Sequence, residues 1–503
     1  MDGTRHPYAQ PARGAGREAG GLGGHPSGLA TLFFTELWER FSYYGMRALL
    51  ALFMVAPGAA GGLGLDTAEA ARIYGNYTMA VYMLAIPGGF IADNLIGARR
   101  AVVIGGLVIA CGHFTLAIHS LTAFYAGLVL IAVGTGLFKP NISALVGGLY
   151  GQGDERRDAG FSIFYMGINI GAFFAPLVTG FLAQSAAMKS WLAASGFDPA
   201  LSWHWGFAAA GVGMTLGLAV LSRQHARLGS LGNPPSAGGR MWGHAGLVVA
   251  ATGALMALVV LSDAPGFEGL RYVFLALPVA AALWLGFTGD LEGKRLAAVF
   301  VFFIAAMLFW AIFEQAGITI ALFADQLTRA EVLGLSFPTA WFQSLNALFV
   351  IALAPMFAWA WMRLGPRQPS APVKFALGLV FLALSFLLMV PAAALTAAGK
   401  VSPLWLVGLF FVQTVGELFL SPVGLSTMTK LAPARLVGLV LGVWFLGAAL
   451  GNKLAGVLGS AFTTTDAPGL ATYFLQQAAF VGVAALLLFA LVPWIKRLMG
   501  GVR

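Results

Sequence analysis

The sequence predicts an all-α polytopic membrane protein of fourteen spans, built as two six-helix halves with a two-helix insertion. Three observations carry this. Of the 503 residues, 59% are hydrophobic and only 10% charged, against roughly 25% charged in ordinary soluble domains. Apolar runs of about 20 residues, the length that crosses a bilayer, recur along the chain. Between those runs the basic residues fall in a one-sided pattern.

Residues 1–27 are rich in Gly, Pro and Arg and hold no apolar run, so they read as a disordered cytoplasmic tail and not as a signal peptide. Spans are expected near 29–55, 68–93, 99–119, 122–149, 158–184, 202–223, 242–262, 271–289, 296–324, 336–363, 373–395, 403–430, 434–461 and 470–497. An even number puts both termini on one side. With a cytoplasmic N-terminus, 20 of the 29 Lys and Arg lie inside. Only Arg72, Lys189, Arg271, Arg329 and Lys400 lie outside, and Arg40, Arg47, Lys139 and Lys453 lie within spans. Both termini are therefore expected in the cytoplasm, and the net charge of +9 is a topology signal, with no nucleic-acid partner implied.

The longest polar connection, LGSLGNPPSAGGR, follows the sixth span as a linker would. This gives a tail at 1–27, an N-terminal bundle at 28–227, a linker at 228–241, an inserted hairpin at 242–289, a C-terminal bundle at 290–498 and a cytoplasmic tail at 499–503. The hairpin carries no charge deep in its spans and reads as a lipid-facing insertion. Without it, six plus six helices remain, the plan of two parallel repeats around a central path.

Charged side chains at mid-membrane cost about 2.5–3.5 kcal/mol each on insertion scales, so they face a cavity and pair. Here they are Glu36, Glu39, Arg40 and Arg47 on the first span, Lys139 on the fourth, Glu314 on the ninth, Glu417 on the twelfth and Lys453 on the thirteenth. At about 100° per residue, positions 36, 39, 40, 43 and 47 form one stripe over roughly 16 Å of helix. Lys139 stands beside Pro140, which removes a backbone donor, so it is a candidate moving charge. Glu417 has Ser421 one turn on. Glu314 has Trp310 one turn before it and Asp325 eleven residues later, on the same stripe of a continuous helix. Asn169 and Asn346 add amides within apolar spans, where an interhelical hydrogen bond is an equally good reading. Tyr43, Tyr44, Tyr82, Trp310 and Trp444 follow these faces, although most of the 63 aromatics pack or face lipid. A cavity with acids, bases, amides and aromatic walls suits a zwitterion with variable apolar appendages.

Cys111 is the sole cysteine, which excludes an intramolecular disulfide, and the seven histidines form no HxxxH or HExxH pattern. No cofactor or metal is expected. A membrane enzyme lacks a visible nucleophile or metal set, and a passive channel lacks a repeated filter element.

The segment GGFIADNLIGARR at 88–100 resembles the hallmark loop of the major facilitator superfamily, with Asp93 and Arg99 as gating scaffold. ELWERFSYYG at 36–45 resembles the ExxERFxYYG motif of the proton-dependent oligopeptide transporter (POT/PTR) family, and FYMGINIG at 164–171 resembles its second signature. GLFKPNIS around Lys139 and GELFLSPVG around Glu417 extend the likeness to the thirteenth span, and the hairpin is similar to that of prokaryotic members. The resemblance implies the major facilitator fold in a bacterial inner membrane. It also implies symport of di- and tripeptides with protons by alternating access, driven by the proton gradient, with a monomer sufficing. By position, Arg40 and Lys139 would hold the peptide carboxylate, and Glu417 with Asn169 and Asn346 its amino end. Tyr44, Tyr82, Trp310 and Trp444 would line side-chain pockets. Glu36 and Glu39 would couple protons beside Arg40, with Lys139 and Glu417 as a second switch. Arg47 would pair with Glu314 or Asp325 in a gate. An anion symporter, for instance of nitrate, is the nearest alternative within the class. The histidine that animal members carry on the second span is missing, since residues 66–98 contain none. Carboxylates would then have to carry the coupling.

Overall fold

A computed structural model describes residues 21–151, 154–235, 239–267, 269–332, 334–433, 436–462 and 466–502. The tail expected at 1–27 therefore lies outside the described residues as far as residue 20, as do linker residues 236–238 and Arg503.

Among the described residues, thirteen helical segments are long and apolar enough to cross a membrane. Helix α1 (Ser27–Val55) is as long as most of them and is set apart by its four charges. The chain continues through α2 (Thr67–Met83), α3 (Ala85–Ile91), α4 (Ala98–Leu116), α5 (Leu121–Gly148), α6 (Arg157–Gln184), α7 (Ala186–Ala194), α8 (Ser202–Gln224) and α9 (Gly239–Leu261). There follow α10 (Leu270–Thr288), α11 (Leu291–Phe313), α12 (Thr319–Leu327), a small β1–β2 hairpin (Glu331–Val332 and Leu335–Ser336), α13 (Ser344–Leu364), α14 (Ala371–Leu395), α15 (Leu404–Leu431), α16 (Val437–Gly459) and α17 (Ala467–Leu498).

Two expected spans are interrupted. The second breaks at Leu84 and again in a π turn over Ala92–Ile96. That turn ends at Gly97, whose φ of +81° suits a residue without Cβ, and a Cβ there would meet the Gly232 carbonyl oxygen at 2.6 Å. The ninth breaks into α11, a 3-10 turn over Glu314–Gly317, and α12. A polar cluster supports that break. Gln315 donates to Gln477 at 3.2 Å and accepts from the Tyr473 hydroxyl at 2.6 Å, and Thr319 lies 3.3 Å from the same hydroxyl. Backbone carbonyls freed at the break are met from the same region, Ala311 by Gln315 at 3.3 Å and Ala316 by Gln343 at 2.7 Å, as a break inside a membrane helix requires. The short helix α7 was not expected; Ser185 caps it by accepting from the Met188 amide.

By contact the chain forms two compact units, Met1–Leu63 with Ala80–Ala254, and Gly64–Met79 with Leu255–Arg503. The boundaries differ from those drawn from sequence: Gly64–Met79, which holds most of α2, joins the second unit, and the first unit runs on to Ala254 within α9. The packing of α2 explains the first difference. Gly75 and Gly456 approach so closely that a Cβ on either would lie 2.7–2.8 Å from the other's Cα, and Tyr74 fills the space beside Gly317.

Within the first unit α1 packs on α6 and α8, α4 on α5 and α8, and α3 on α5. Within the second, α11 packs on α16 and α17, α14 on α15 and α17, and α13 on α15. Span by span these are the same pairings, as parallel repeats require. Small residues set the close approaches in both. Gly105 and Gly134 each face the other's carbonyl oxygen, with a Cβ–O distance of 2.6 Å, and Gly378 and Gly416 do so at 3.1 and 2.9 Å.

Candidate functional site

In the first unit the site is built on α1. Glu36, Glu39 and Arg40 are 3%, 0% and 3% exposed, so their charges must be neutralised by one another. Arg40 does this with a fork. Its Nη2 donates to Glu39 Oε1 at 2.6 Å, its Nε donates to Glu39 Oε2, and the same Nε lies 3.3 Å from Glu36 Oε1. Glu36 Oε2 is buried and accepts no hydrogen bond. The guanidinium carbon sits 5.0 Å from the Tyr43 ring centre and 5.9 Å from that of Tyr44, within range for cation–π attraction. The stripe expected over 36–47 thus closes on Arg40, which holds both acids at once.

Helix α6 presses this cluster into place. A Cβ on Gly171 would meet the Leu37 carbonyl oxygen, the Phe41 amide nitrogen at 3.0 Å and the Arg40 Cβ at 3.1 Å. One turn along α6, Gly167 lies against Phe33, and Thr179 donates to the Gly45 carbonyl at 3.1 Å. The glycines of GINIG therefore serve the helix contact that seats Arg40. Asn169 between them is buried, and its amide donates to the Tyr165 carbonyl of its own helix at 2.9 Å.

Lys139 completes the set. Its Nζ stands 4.0 Å from the centre of the Tyr82 ring, and its charge acts on Glu36. Tyr82 is therefore the platform of a cation. Arg47 lies two turns beyond Arg40 on α1 and is half-buried. Asp93 is exposed in the π turn. Arg99, expected with Asp93 as gating scaffold, binds backbone carbonyls. It donates to the carbonyls of Gly229 and Leu231, and its amide donates to the Gly232 carbonyl at 3.1 Å, so it clamps the linker.

In the second unit Asn346 and Glu417 come together. Asn346 Nδ2 donates to Glu417 Oε2 at 2.9 Å and to Thr414 Oγ1 at 3.1 Å. Glu314 is 3% exposed, and its charge acts on Glu417. The expected stripe linking Glu314 to Asp325 does not exist, because the 3-10 turn and Ile318, at φ −129°, end the helical period between them. Asp325 instead accepts from the Thr339 hydroxyl at 2.7 Å, and its backbone carbonyl accepts from Lys400. Trp310 is half-buried with its Cβ 2.6 Å from the point a Cβ on Gly451 would occupy. Trp444 is 8% exposed and covers Gly424, so its ring is a packing element of α14, α15 and α16. Ser421 is half-buried one turn after Glu417.

Three partners escaped the sequence. Thr414 lies three residues before Glu417, on the same face. The Gln315, Tyr473 and Gln477 cluster is uncharged, so a search for buried charges passes over it. The third is Asp263, ion-paired with Lys453, which also donates to Asn76 at 2.5 Å. Asp263 follows α9 in the inserted hairpin and also faces Arg271 at 3.4 Å. The hairpin is thus tied to α16 and α2 by a carboxylate just outside its apolar core, beyond the lipid-facing role expected of it.

Among the described residues no group of three or more His, Cys, Asp or Glu is arranged to hold a metal.

The profile described as POT family matches residues 99–226 and 288–474. The chain is 40% identical over 510 residues to the peptide transporter YePEPT of Yersinia enterocolitica, covering 95% of this chain and 96% of that one. It is 35% identical over 506 residues to a di-/tripeptide transporter of Lactococcus lactis, covering 95% and 98%. Its fold is similar to the crystal structure of a peptide transporter POT in complex with alafosfalin, with a TM-score of 0.83 and 42% identity over 96% of this chain and 97% of that one.

Proposed function

This chain belongs to the POT family, and from that premise we propose that it is a proton-coupled symporter importing di- and tripeptides by alternating access. It is a multi-pass membrane protein that transports peptides, as the relatives named for that activity do. The proton gradient drives it without a cofactor. It works as a monomer in a bacterial inner membrane, with both termini in the cytoplasm.

The observation that carries the coupling is the fork of Arg40 on two buried carboxylates. A peptide carboxylate is the same chemical group as the side chains of Glu36 and Glu39, so it competes with them for the guanidinium. Once an acid loses its arginine in a water-poor site, its charge is no longer balanced, and a proton restores neutrality. Substrate and proton are thereby linked through one cation, with Lys139 supporting the carboxylate. Glu417, held by Asn346, receives the amino end, with Asn169 assisting, and Tyr44, Tyr82 and Trp310 contact side chains. Glu314 acts beside Glu417, while Arg47, Asp93 and Asp325 serve gating. A nitrate ion has no group that calls for Glu417, which favours the peptide.

The test is uptake of labelled dialanine into proteoliposomes. Saturable accumulation that collapses with a protonophore is expected. Equilibration without accumulation would indicate a passive path.

A further inference from the structure

We propose that a cavity at the N-terminal end of α14 in the second unit binds a phosphate-type oxyanion, at a site separate from the peptide machinery. The cavity measures about 800 Å³ and is walled by residues 365–366, 368–372 and Lys374, the last turns of α15 around Ser426 and Lys430, and Lys496 with Met499, Gly501 and Val502 after α17. Among the described residues its lining carries three lysines and no carboxylate.

The central observation is Lys374. It is 7% exposed, yet its described partners are neutral. Its Nζ donates to Gln368 Oε1 at 2.7 Å and lies 4.1 Å from the centre of the Trp361 ring. The charge of Lys430 opposes it. A buried cation without a counter-charge is costly. Its place worsens this, because it stands in the first turn of α14, the positive end of a helix dipole. Among the described residues the cavity wall answers Lys374 only with a neutral amide oxygen and an aromatic ring, and an anion would supply the missing charge.

Two further groups point the same way. Ser370 occupies the N-cap of α14 but caps nothing, and its Oγ is buried without a hydrogen-bond partner. Arg295 Nε is also buried without an acceptor. It lies 3.6 Å from where a Cβ on Gly500 would sit, beside Gly501 and Val502 of the cavity wall. Unmet donors converging with lysines suit an oxyanion with several acceptor oxygens.

Two sources supply that chemistry, an anionic lipid headgroup and a soluble phosphate. Trp359 and Met362, next to the cavity residue Trp361, are 61% and 77% exposed and offer an apolar surface to acyl chains.

The experiment uses the purified full-length protein in delipidating detergent, with thermal unfolding followed by tryptophan fluorescence. Inorganic phosphate is titrated against chloride at constant ionic strength, and phosphatidylglycerol against phosphatidylcholine. A saturable rise in Tm with phosphate identifies a soluble ligand, and a rise with phosphatidylglycerol alone identifies a headgroup. In either case Lys374→Gln and Lys496→Gln should raise the midpoint concentration roughly tenfold or more, as loss of a charge-assisted hydrogen bond does, while dialanine uptake persists. Lys496 is exposed, so its variant carries the test if the other does not fold. No saturable shift with either ligand, or unchanged midpoints in the variants, overturns the proposal.

Discussion

Replacing Glu39 by Gln should abolish proton-driven accumulation while sparing exchange of peptide for peptide. Glu39 is fully buried, and both of its carboxylate oxygens take a hydrogen bond from Arg40. Glutamine keeps one acceptor and turns the other into an amide that faces the guanidinium, so one charge-assisted hydrogen bond is lost. That loss is worth about 1.5–3 kcal/mol. It stays below the roughly 3–5 kcal/mol of a buried ion left bare, because Glu36 remains 3.3 Å from Arg40. The variant should therefore fold, with a lowered Tm. Its cluster holds Arg40 and Lys139 against Glu36 alone, one carboxylate fewer for a proton to neutralise. In proteoliposomes with an imposed pH gradient, dialanine should equilibrate without concentrating, and counterflow of preloaded peptide should continue. Accumulation against the gradient at the wild-type level would refute the coupling role of Glu39. Loss of counterflow in a folded variant would reassign it to peptide binding. Glu36→Gln is the informative companion, because it leaves the bidentate contact intact. The two acids share one cation, so the variant that loses coupling identifies the acid that the cycle needs.

Asn346→Leu removes the donor that holds Glu417 and should raise the dialanine concentration for half-maximal uptake about tenfold, the effect of one hydrogen bond to a charged group; an unchanged value in a competition assay would remove Glu417 from the amino-end role. Gly171→Ala drives a methyl group into the backbone of α1 beside Arg40, so Tm should fall by an amount equivalent to about 1–3 kcal/mol, as overpacking does. Gly147→Ala, whose nearest neighbour would be 3.6 Å away, is the control and should be close to neutral. Asp263→Ala leaves Lys453 buried beside Asn76 without its carboxylate and should cost about 3–5 kcal/mol, whereas the double variant with Lys453→Met should recover most of that. A double-mutant cycle in Tm showing additive effects would disprove that the hairpin is tied through this pair.

The spans were legible because length and hydropathy alone fix them. The charged group on α1 was legible because bilayer-spanning segments rarely tolerate such residues. What periodicity missed lies where the helix period is broken. Glu314 and Asp325 are eleven residues apart and would share a face on an unbroken helix, yet the buried hydrogen bonds of Gln315, Thr319, Tyr473 and Gln477 hold a 3-10 turn between them. None of those residues is charged, so none stands out in a sequence, although together they stand where the helical period between Glu314 and Asp325 ends. Arg99 shows the converse. The sequence marks it, with Asp93, as part of a gating loop, yet the partners its donors take are backbone carbonyls of the linker, and carbonyls leave no mark in a sequence. Asp263 sits beyond an apolar span where a carboxylate is unremarkable, until the buried Lys453 is seen to need one.

The two repeats share a helix contact, but the side chain seated on it differs between them. In α6, Gly167 and Gly171 lie against Phe33 and Arg40 of α1; in α16, Gly447 and Gly451 lie against Phe303 and Trp310 of α11. Each pair of glycines is spaced by four, the small-residue spacing that lets membrane helices approach closely. Phe33 and Phe303 are seven residues before Arg40 and Trp310, so the two contacts match level for level. The place filled by a guanidinium in the first repeat is thus filled by an indole in the second. The glycine contact is therefore the constant part of the repeat and the side chain it seats is the variable part, so Arg40 is buried with Glu36 and Glu39 in the first unit while Trp310 packs at the same level in the second.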